Sequence, residues 1–172
     1  MQPFEQIMNK KFFWRLDKDL PITLSIQRKR DIDSRIRVFG TIKLQKTLLA
    51  SCDGICYEEK FKVFNLMNHL RTNYTIRSQI PFIKRNSFNN LAAWLLEKVI
   101  CHLFPLRSTR RRISVSLIAD GYLIDDQKRV VINPEKLVQY YEKLGFERDI
   151  DFEIENVMKS NAETVVNRIK NL

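Results

Sequence analysis

Two adjacent tyrosines are the residues of this sequence whose position could serve acid–base chemistry. Tyr140 and Tyr141 lie in the run LVQYYEKLGFERD, which has the spacing of an amphipathic helix and ends at Gly145. A phenol has a pKa of about 10, so a tyrosine held by hydrogen bonds can deliver a proton to a leaving group as negative charge develops. The alternative is that both tyrosines are amphipathic residues whose rings are buried and whose hydroxyls contact water. Spacing alone leaves both interpretations open.

The cysteines and histidines offer a second kind of chemistry, metal binding. Cys52, Cys56 and His69 follow the spacing C-x3-C-x12-H, which has the pattern of half a zinc site. The second histidine expected shortly after His69 is missing, and only Cys101 or His102 could complete a tetrahedral set. The sequence therefore predicts no metal site, and its few cysteines are expected to be reduced thiols.

A phosphate site is predicted where a strand-like segment, two cations and a helix start coincide. This junction lies in PFIKRNSFNNLAAW, where Asn86 or Ser87 is placed to cap the helix that follows. The amides of a helix N-terminus bind anions, and nearby cations strengthen that preference. The residues predicted to contact phosphate are Phe82, Ile83, Lys84, Arg85, Asn86, Ser87, Phe88, Asn89 and Asn90.

The charge balance is strongly basic, with 30 Lys plus Arg against 20 Asp plus Glu and a net charge of +10. Such a balance favours a polyanionic partner, because each neutralised phosphate releases a counterion. Basic residues cluster in IQRKR, IKR and LRSTRRR, and the alternative role of each cluster is that of a solvated loop. The residues predicted to contact nucleic acid are Arg107, Arg110, Arg111 and Arg112.

The elements that position these residues show both strand and helix spacing. Strands are predicted in LPITLSI, RIRVFGTIKLQ, KTLLASC, YTIRSQIPFI and ISVSLIAD. Helices are predicted in FEQIMNKKFFWRL, YEEKFKVFNLMNHLR, SFNNLAAWLLEKVICHLF and PEKLVQYYEKLG, and the tail is predicted to form a strand and then a short helix. This succession predicts an α/β (α+β) fold in which a single mixed, largely antiparallel sheet is flanked by helices.

Length and composition limit the class of protein. With 172 residues, 44% of them hydrophobic, and only 4 Gly and 5 Pro, the chain is predicted to form one globular domain over residues 1–172. No apolar run approaches the roughly 20 residues that span a bilayer, so no membrane association is expected. The N-terminal segment lacks the features of a secretory signal, which predicts an intracellular protein, cytoplasmic or nuclear.

The string INPEKLVQYYEKLGFE closely resembles the C-terminal motif of the GNAT family of N-acetyltransferases. In that family a helix with a sequence such as LYEKLGF follows the penultimate core strand and leads into the last strands of the sheet. ISVSLIAD and DFEIENVMK lie where the family has those strands. The resemblance implies transfer of an acetyl group from acetyl-CoA to an amine on a protein or on aminoacyl-tRNA.

The resemblance also implies roles for individual residues. The tyrosine before EKLGF commonly serves the family as the general acid that reprotonates the departing thiolate, and here it is Tyr141. The strand-to-helix junction that holds the pyrophosphate of acetyl-CoA corresponds to residues 82–90, and the asparagine upstream of the tyrosine corresponds to Asn133.

A general base is not assigned from the sequence. Glu58 and Glu59 begin a predicted helix, where the helix dipole stabilises carboxylates in any case. His69 and His102 are both predicted to lie within helices, and neither has an evident partner in the sequence.

The phosphate loop differs from the family pattern, because RNSFNN contains no glycine. Two alternatives therefore stay open. One is an acetyltransferase-like fold that has lost its chemistry and binds nucleic acid or a protein. The other is an unrelated basic α/β binding module.

Overall fold

The structure of the protein is a computed structural model that describes residues 5–13, 21–30, 35–44, 46–57, 63–71, 90–125 and 128–172. These residues form ten strands and four helices. The strands are β1 (Glu5–Phe13), β2 (Pro21–Arg30), β3 (Arg35–Leu44), β4 (Thr47–Tyr57), β5 (Val63–Arg71), β6 (Ser114–Ile118), β7 (Tyr122–Asp125), β8 (Lys128–Val131), β9 (Glu147–Arg148) and β10 (Val157–Asn161). The helices are α1 (Leu91–Leu103), α2 (Arg107–Arg110), α3 (Pro134–Lys143) and α4 (Ala162–Lys170).

Eight of the described strands form one sheet, in the order β1-β2-β3-β4-β5-β6-β10-β9, and β7 and β8 form a separate hairpin. Every neighbouring pair in the large sheet is antiparallel except β5 and β6, which are parallel. Parallel neighbours need a crossover connection, and α1 lies between them in the chain. The predicted α+β fold with a mixed, largely antiparallel sheet is confirmed.

The core lies between the sheet and α1. Alternating residues of β2 and β3, such as Leu24, Ile26 and Val38, are fully buried, as period-two spacing predicts. α1 packs across β3, β4 and β5 and against α4. Gly40 on β3 permits this close approach, because a Cβ there would lie 2.8 Å from the Val99 side chain.

Two predicted helices are strands in the structure. FEQIMNKKFFWRL was predicted to be a helix, but Glu5–Phe13 forms β1 and pairs with β2. YEEKFKVFNLMNHLR was also predicted to be a helix, but Val63–Arg71 forms β5. β1 supplies hydrogen-bond partners to the backbone of β2, and β5 supplies them to β4. Such pairing overrides the weak helical spacing of apolar residues in these two segments. β5 also corrects the prediction that His69 lies in a helix.

The other predicted elements are confirmed where the structure describes them. The segments predicted as the first three strands overlap β2, β3 and β4, and ISVSLIAD contains β6. β2 and β4 continue four and five residues beyond the predicted segments. α1 and α3 occupy the two predicted helices near residues 91–103 and 134–143, and the tail forms a strand and then a helix, β10 and α4. Of the expected strand DFEIENVMK, only the last three residues belong to β10, since residues 150–156 form turns and bends. The predicted strand YTIRSQIPFI lies outside the described residues. No helix in the described ranges is both long and apolar enough to cross a membrane.

Gly54 on β4 provides a test of how tightly the sheet is packed. Gly54→Ala is expected to lower the free energy of unfolding by about 1–3 kcal/mol. A Cβ at this position would overlap the Phe64 ring and lie 2.8 Å from the Asn65 carbonyl oxygen, which is backbone. Urea unfolding of the variant measures the loss.

Gly121→Ala is the matched control, because the nearest heavy atom to a Cβ there is 3.5 Å away, an ordinary contact. It should cause no loss of stability. Equal losses in the two variants would contradict the packing described at Gly54.

Candidate functional site

The candidate site lies where the parallel pairing of β5 and β6 ends. Residues 63–66 of β5 pair with residues 114–117 of β6, while β5 continues to Arg71. His69 on β5 therefore lies beyond the last parallel pair, toward the carboxyl ends of both strands. Such strand ends are the preferred place for ligands in open sheets with parallel strands.

A β-bulge directs His69 to the core side of the sheet. The register passes from Asp53 opposite Asn68 to Gly54 opposite Leu66, so Met67 is the extra residue. His69 is consequently paired with Cys52, and Met67 and Asn68 are exposed. Without the extra residue, strand alternation would direct residue 68 to the core side in place of His69.

His69 connects the first turn of α1 to Tyr141 on α3. Its Nε2 is 2.6 Å from the Ala92 carbonyl oxygen, and its Nδ1 is 3.2 Å from the Tyr141 hydroxyl. The His69 side chain is partly buried and Tyr141 is only 6% exposed. The two side chains are 72 residues apart in the chain, so the fold alone brings them together.

These contacts fix the hydrogen positions of the pair. A carbonyl oxygen only accepts hydrogen bonds, so His69 Nε2 carries a hydrogen and donates it to Ala92. In the neutral ring Nδ1 is then an acceptor, and the Tyr141 hydroxyl donates to it.

The ionisation preferences of the site keep both groups neutral near pH 7. Burial lowers the pKa of His69 to about 4, although the hydrogen bond to Ala92 opposes the change. Burial also raises the pKa of the Tyr141 phenol, and neighbouring Tyr140 and Cys52 raise it further. The pKa of the buried Cys52 thiol is raised by burial and by Asp53. The site therefore consists of uncharged donors and acceptors.

The sequence YEKLGF has a direct structural purpose around Tyr141. α3 ends before Gly145, which has a φ of +89°, a left-handed value that favours glycine. The turn brings Phe146 back so that its amide donates to the Tyr141 carbonyl, at 3.1 Å, and its ring meets the Tyr141 ring edge-on. The Tyr140 ring also packs edge-to-face against the Tyr141 ring, with ring centroids 5.1 Å apart. The Tyr141 ring is thus held in place by contacts with the Tyr140 and Phe146 rings.

Only part of the predicted phosphate junction falls in the described residues. Residues 82–89 lie outside them, as do Glu58 and Glu59. Asn90 is described and occupies the N-cap position of α1, two residues before Ala92. The His69–Tyr141 pair therefore reaches the helix turn that directly follows the junction.

Asn133, the other predicted cofactor residue, caps α3. Its side-chain oxygen accepts a hydrogen bond from the Glu135 amide at 2.9 Å, and the residue is exposed. It lies at the N-terminal end of α3, two turns before Tyr141. The structure does not bring it to the His69–Tyr141 pair.

The predicted nucleic-acid arginines separate into two groups. Arg110 is only 8% exposed, and its guanidinium donates to Glu163 at 2.7 Å and to the carbonyls of Phe104 and Pro105. Arg107 is more exposed and contacts the same carboxylate at 2.8 Å. Arg110 therefore belongs to the folded interior. The arginines on the surface are Arg107, Arg111 and Arg112.

Cys52 and Cys56, the cysteines of the half zinc pattern, lie at different positions along β4 and pair with different residues of β5. Cys52 is paired with His69, whereas Cys56 is four residues further along and paired with Phe64. Both thiols are buried. Among the described residues, no group of three or more His, Cys, Asp and Glu could hold a metal ion.

His69 is the site residue whose strand position and partner the sequence interpretation did not find. The signal was present in Phe64 and Leu66, which alternate as strand residues do and are buried. Met67, the extra residue of the bulge, interrupts that alternation just before His69. The apolar residues Phe64, Met67 and Leu70 are therefore spaced by three, which is typical of helices.

The fold and the site together define an α+β protein with a neutral tyrosine–histidine pair at the end of its parallel strands. In comparisons with known proteins, no protein-family model, curated protein or solved structure matches the chain.

Proposed function

We propose that the protein is an N-acetyltransferase that transfers an acetyl group from acetyl-CoA to an amine on a protein or on aminoacyl-tRNA. Tyr141 is the general acid that reprotonates the departing thiolate. The proposal depends chiefly on one observation: the Tyr141 hydroxyl lies 3.2 Å from His69 Nδ1, at the end of the parallel strands.

The chain order of the elements supports the proposal. The helix α3 ends with QYYEK, the first part of QYYEKLGF. It follows β6 and the β7–β8 hairpin and leads to β9 and β10. β10 then pairs with both β6 and β9. This is the succession of strand, helix and final strands that the resemblance to the acetyltransferase family implies.

The predicted junction has suitable donors for a pyrophosphate. α1 begins at Leu91 and has 13 residues, so its first amides are available to an anion placed at its N-terminus. Lys84 and Arg85, which precede it, would add positive charge. Asparagine tolerates left-handed backbone better than most residues, so Asn89 would partly offset the missing glycines. Asn90 does not use that conformation, since its φ is −94°.

The chemistry expected of the chain's own residues is limited and specific. Bound acetyl-CoA supplies an activated acyl group whose leaving atom is sulfur. Tyr141 contributes a phenol that remains protonated at neutral pH and is held by Phe146, Tyr140 and His69. The buried surroundings exclude water from the proton transfer, which strengthens hydrogen bonds to developing charge.

Calorimetric titration with acetyl-CoA and, separately, with CoA tests this function. Micromolar binding of both is expected, and Arg85→Ala should weaken both by removing a phosphate contact. Arg111→Ala is the matched control, because Arg111 follows α2, beyond the opposite end of α1, and should leave the affinity unchanged. Absence of binding heat together with absence of a thermal shift would overturn the proposal and favour the nucleic-acid- or protein-binding alternative.

A further inference from the structure

We propose that His69 is the proton acceptor of this site and acts through Tyr141. This inference rests on the proposed acetyltransferase function. It supplies the general base that the sequence left unassigned, and it makes Tyr141 the residue that exchanges protons with the substrate in both directions.

The geometry favours a relay over a simple packing contact. His69 Nε2 donates a hydrogen bond to the Ala92 carbonyl oxygen at 2.6 Å, so a backbone atom of α1 orients the ring. Its Nδ1 presents a lone pair to the Tyr141 hydroxyl at 3.2 Å. A proton that leaves Tyr141 toward His69 therefore has a defined acceptor atom.

The arrangement also opposes a simpler mechanism in which Tyr141 gives its proton to the thiolate and receives none from His69. That step would leave a buried phenolate facing the lone pair of His69 Nδ1, and neither group would supply a hydrogen. The described titratable groups around this position are Tyr140 and Tyr141 on α3 and Cys52 on β4, and none of them is a cation. With His69 as the acceptor, the charge formed during turnover lies on an imidazolium whose two N–H groups both have hydrogen-bond acceptors, the Ala92 carbonyl and Tyr141 Oη.

The proton transfers balance over one turnover. As the new C–N bond forms, Tyr141 Oη accepts a proton from the attacking amine and passes its own proton to His69 Nδ1. The resulting imidazolium has both nitrogens satisfied, Nε2–H by the Ala92 carbonyl and Nδ1–H by Tyr141 Oη.

As the C–S bond breaks, Tyr141 gives a proton to the departing sulfur and recovers one from His69 Nδ1. The products are an amide and a thiol, and both side chains return to their neutral forms. His69 is thus a positioning and relay residue, and Tyr141 is the catalytic residue.

Nitrogen NMR of the histidine side chains tests the pair without any ligand. At pH 7 the wild type is expected to show His69 as the neutral Nε2–H tautomer. Tyr141→Phe should shift the His69 pKa, because Tyr141 Oη is the hydrogen-bond partner of Nδ1 in both the neutral ring and the imidazolium. Tyr140→Phe, the same chemical change one residue earlier, should have a smaller effect. An Nδ1–H tautomer in the wild type, or no response to Tyr141→Phe, would overturn the relay.

Kinetics of His69→Asn separates a relay from mere orientation of Tyr141. The asparagine oxygen lies near the position of Nδ1 and can accept the tyrosine hydrogen bond, but it cannot hold a proton. Turnover is expected to fall by about 100-fold, with the affinity for acetyl-CoA retained. His102→Asn, the same change at the far end of α1, should leave turnover unchanged.

The outcomes distinguish this inference from the proposed function. Wild-type acetyl-CoA binding together with undiminished turnover in His69→Asn overturns the relay alone. Absence of acetyl-CoA binding to the wild type overturns the proposed function and the relay with it.

Discussion

Tyr141→Phe is expected to lower the turnover number for acetyl transfer by about 100-fold or more, the usual contribution of a positioned general acid. The affinity for acetyl-CoA should change little, because the ring and its contacts with Phe146 and Tyr140 remain. Turnover is measured as release of CoA in the presence of lysine peptides, peptides with free N-termini and aminoacyl-tRNA. Calorimetry of the same samples measures the affinity.

Tyr140→Phe is the control for this experiment, since it removes a neighbouring phenol and leaves the hydroxyl at His69 intact. It should retain most of the turnover. Parallel losses of turnover and affinity in Tyr141→Phe would indicate a packing role for the hydroxyl. Unchanged turnover would exclude Tyr141 as the acid.

Glu163→Gln is expected to lower the free energy of unfolding by about 3–5 kcal/mol, because it leaves the buried Arg110 guanidinium without its counter-charge. The two side chains are 10% and 8% exposed and 2.7 Å apart. Arg107 contacts the second oxygen of the same carboxylate. The loss is measured by urea unfolding at neutral pH.

Glu135→Gln is the matched control, because Glu135 forms an ion pair with Arg148 at the same 2.7 Å but on the surface. Exposed pairs contribute little to stability, so this variant should unfold like the wild type. Similar losses in the two variants would mean that burial is not what makes the Arg110–Glu163 pair important.

Acid unfolding provides a second measure of the same pair. Burial alone would raise the pKa of Glu163, but the hydrogen bond and charge of Arg110, with those of Arg107, outweigh it and hold the pKa below its usual value. A carboxyl with a lowered pKa stabilises the fold above its unfolded pKa, about 4.3, and that contribution is lost as the pH falls through the folded value. Below about pH 4.3, wild-type stability should therefore fall more steeply than that of Glu163→Gln.

The sequence predicted the elements whose spacing and ends are unambiguous. β2 and β3 alternate buried and exposed residues, so their spacing was sufficient. α3 begins at a proline and ends before a glycine with positive φ, so its bounds were predicted from local chemistry. These signals depend on residues that are close together in the chain.

β5 could not be predicted in the same way. Its apolar residues Phe64, Met67 and Leu70 are spaced by three, which is typical of a helix. In the structure Met67 is 59% exposed and is the extra residue of the bulge. The strand is specified by pairing with β4 and β6, and those partners lie elsewhere in the sequence.

Of the two residues that form the candidate site, the sequence predicted one. Tyr141 was found through the residues around it, whereas His69 required knowledge of the bulge and of a contact across 72 positions. The same limitation applies to Arg110, which was predicted to contact nucleic acid. Its partner Glu163 lies 53 positions away, and only the packing of α4 brings the two together.

The strand order has a consequence for how the sheet is completed during synthesis. β1 to β5 each pair with their immediate neighbour in the chain, so that part of the sheet can form as it leaves the ribosome. β6 pairs with β5 on one edge, but its other edge stays unpaired until β10, the last of the described strands, has been synthesised. Until β10 arrives, the open edge of β6 can template pairing with another nascent chain. Protection against such association therefore depends on the segment that is translated last among the described strands.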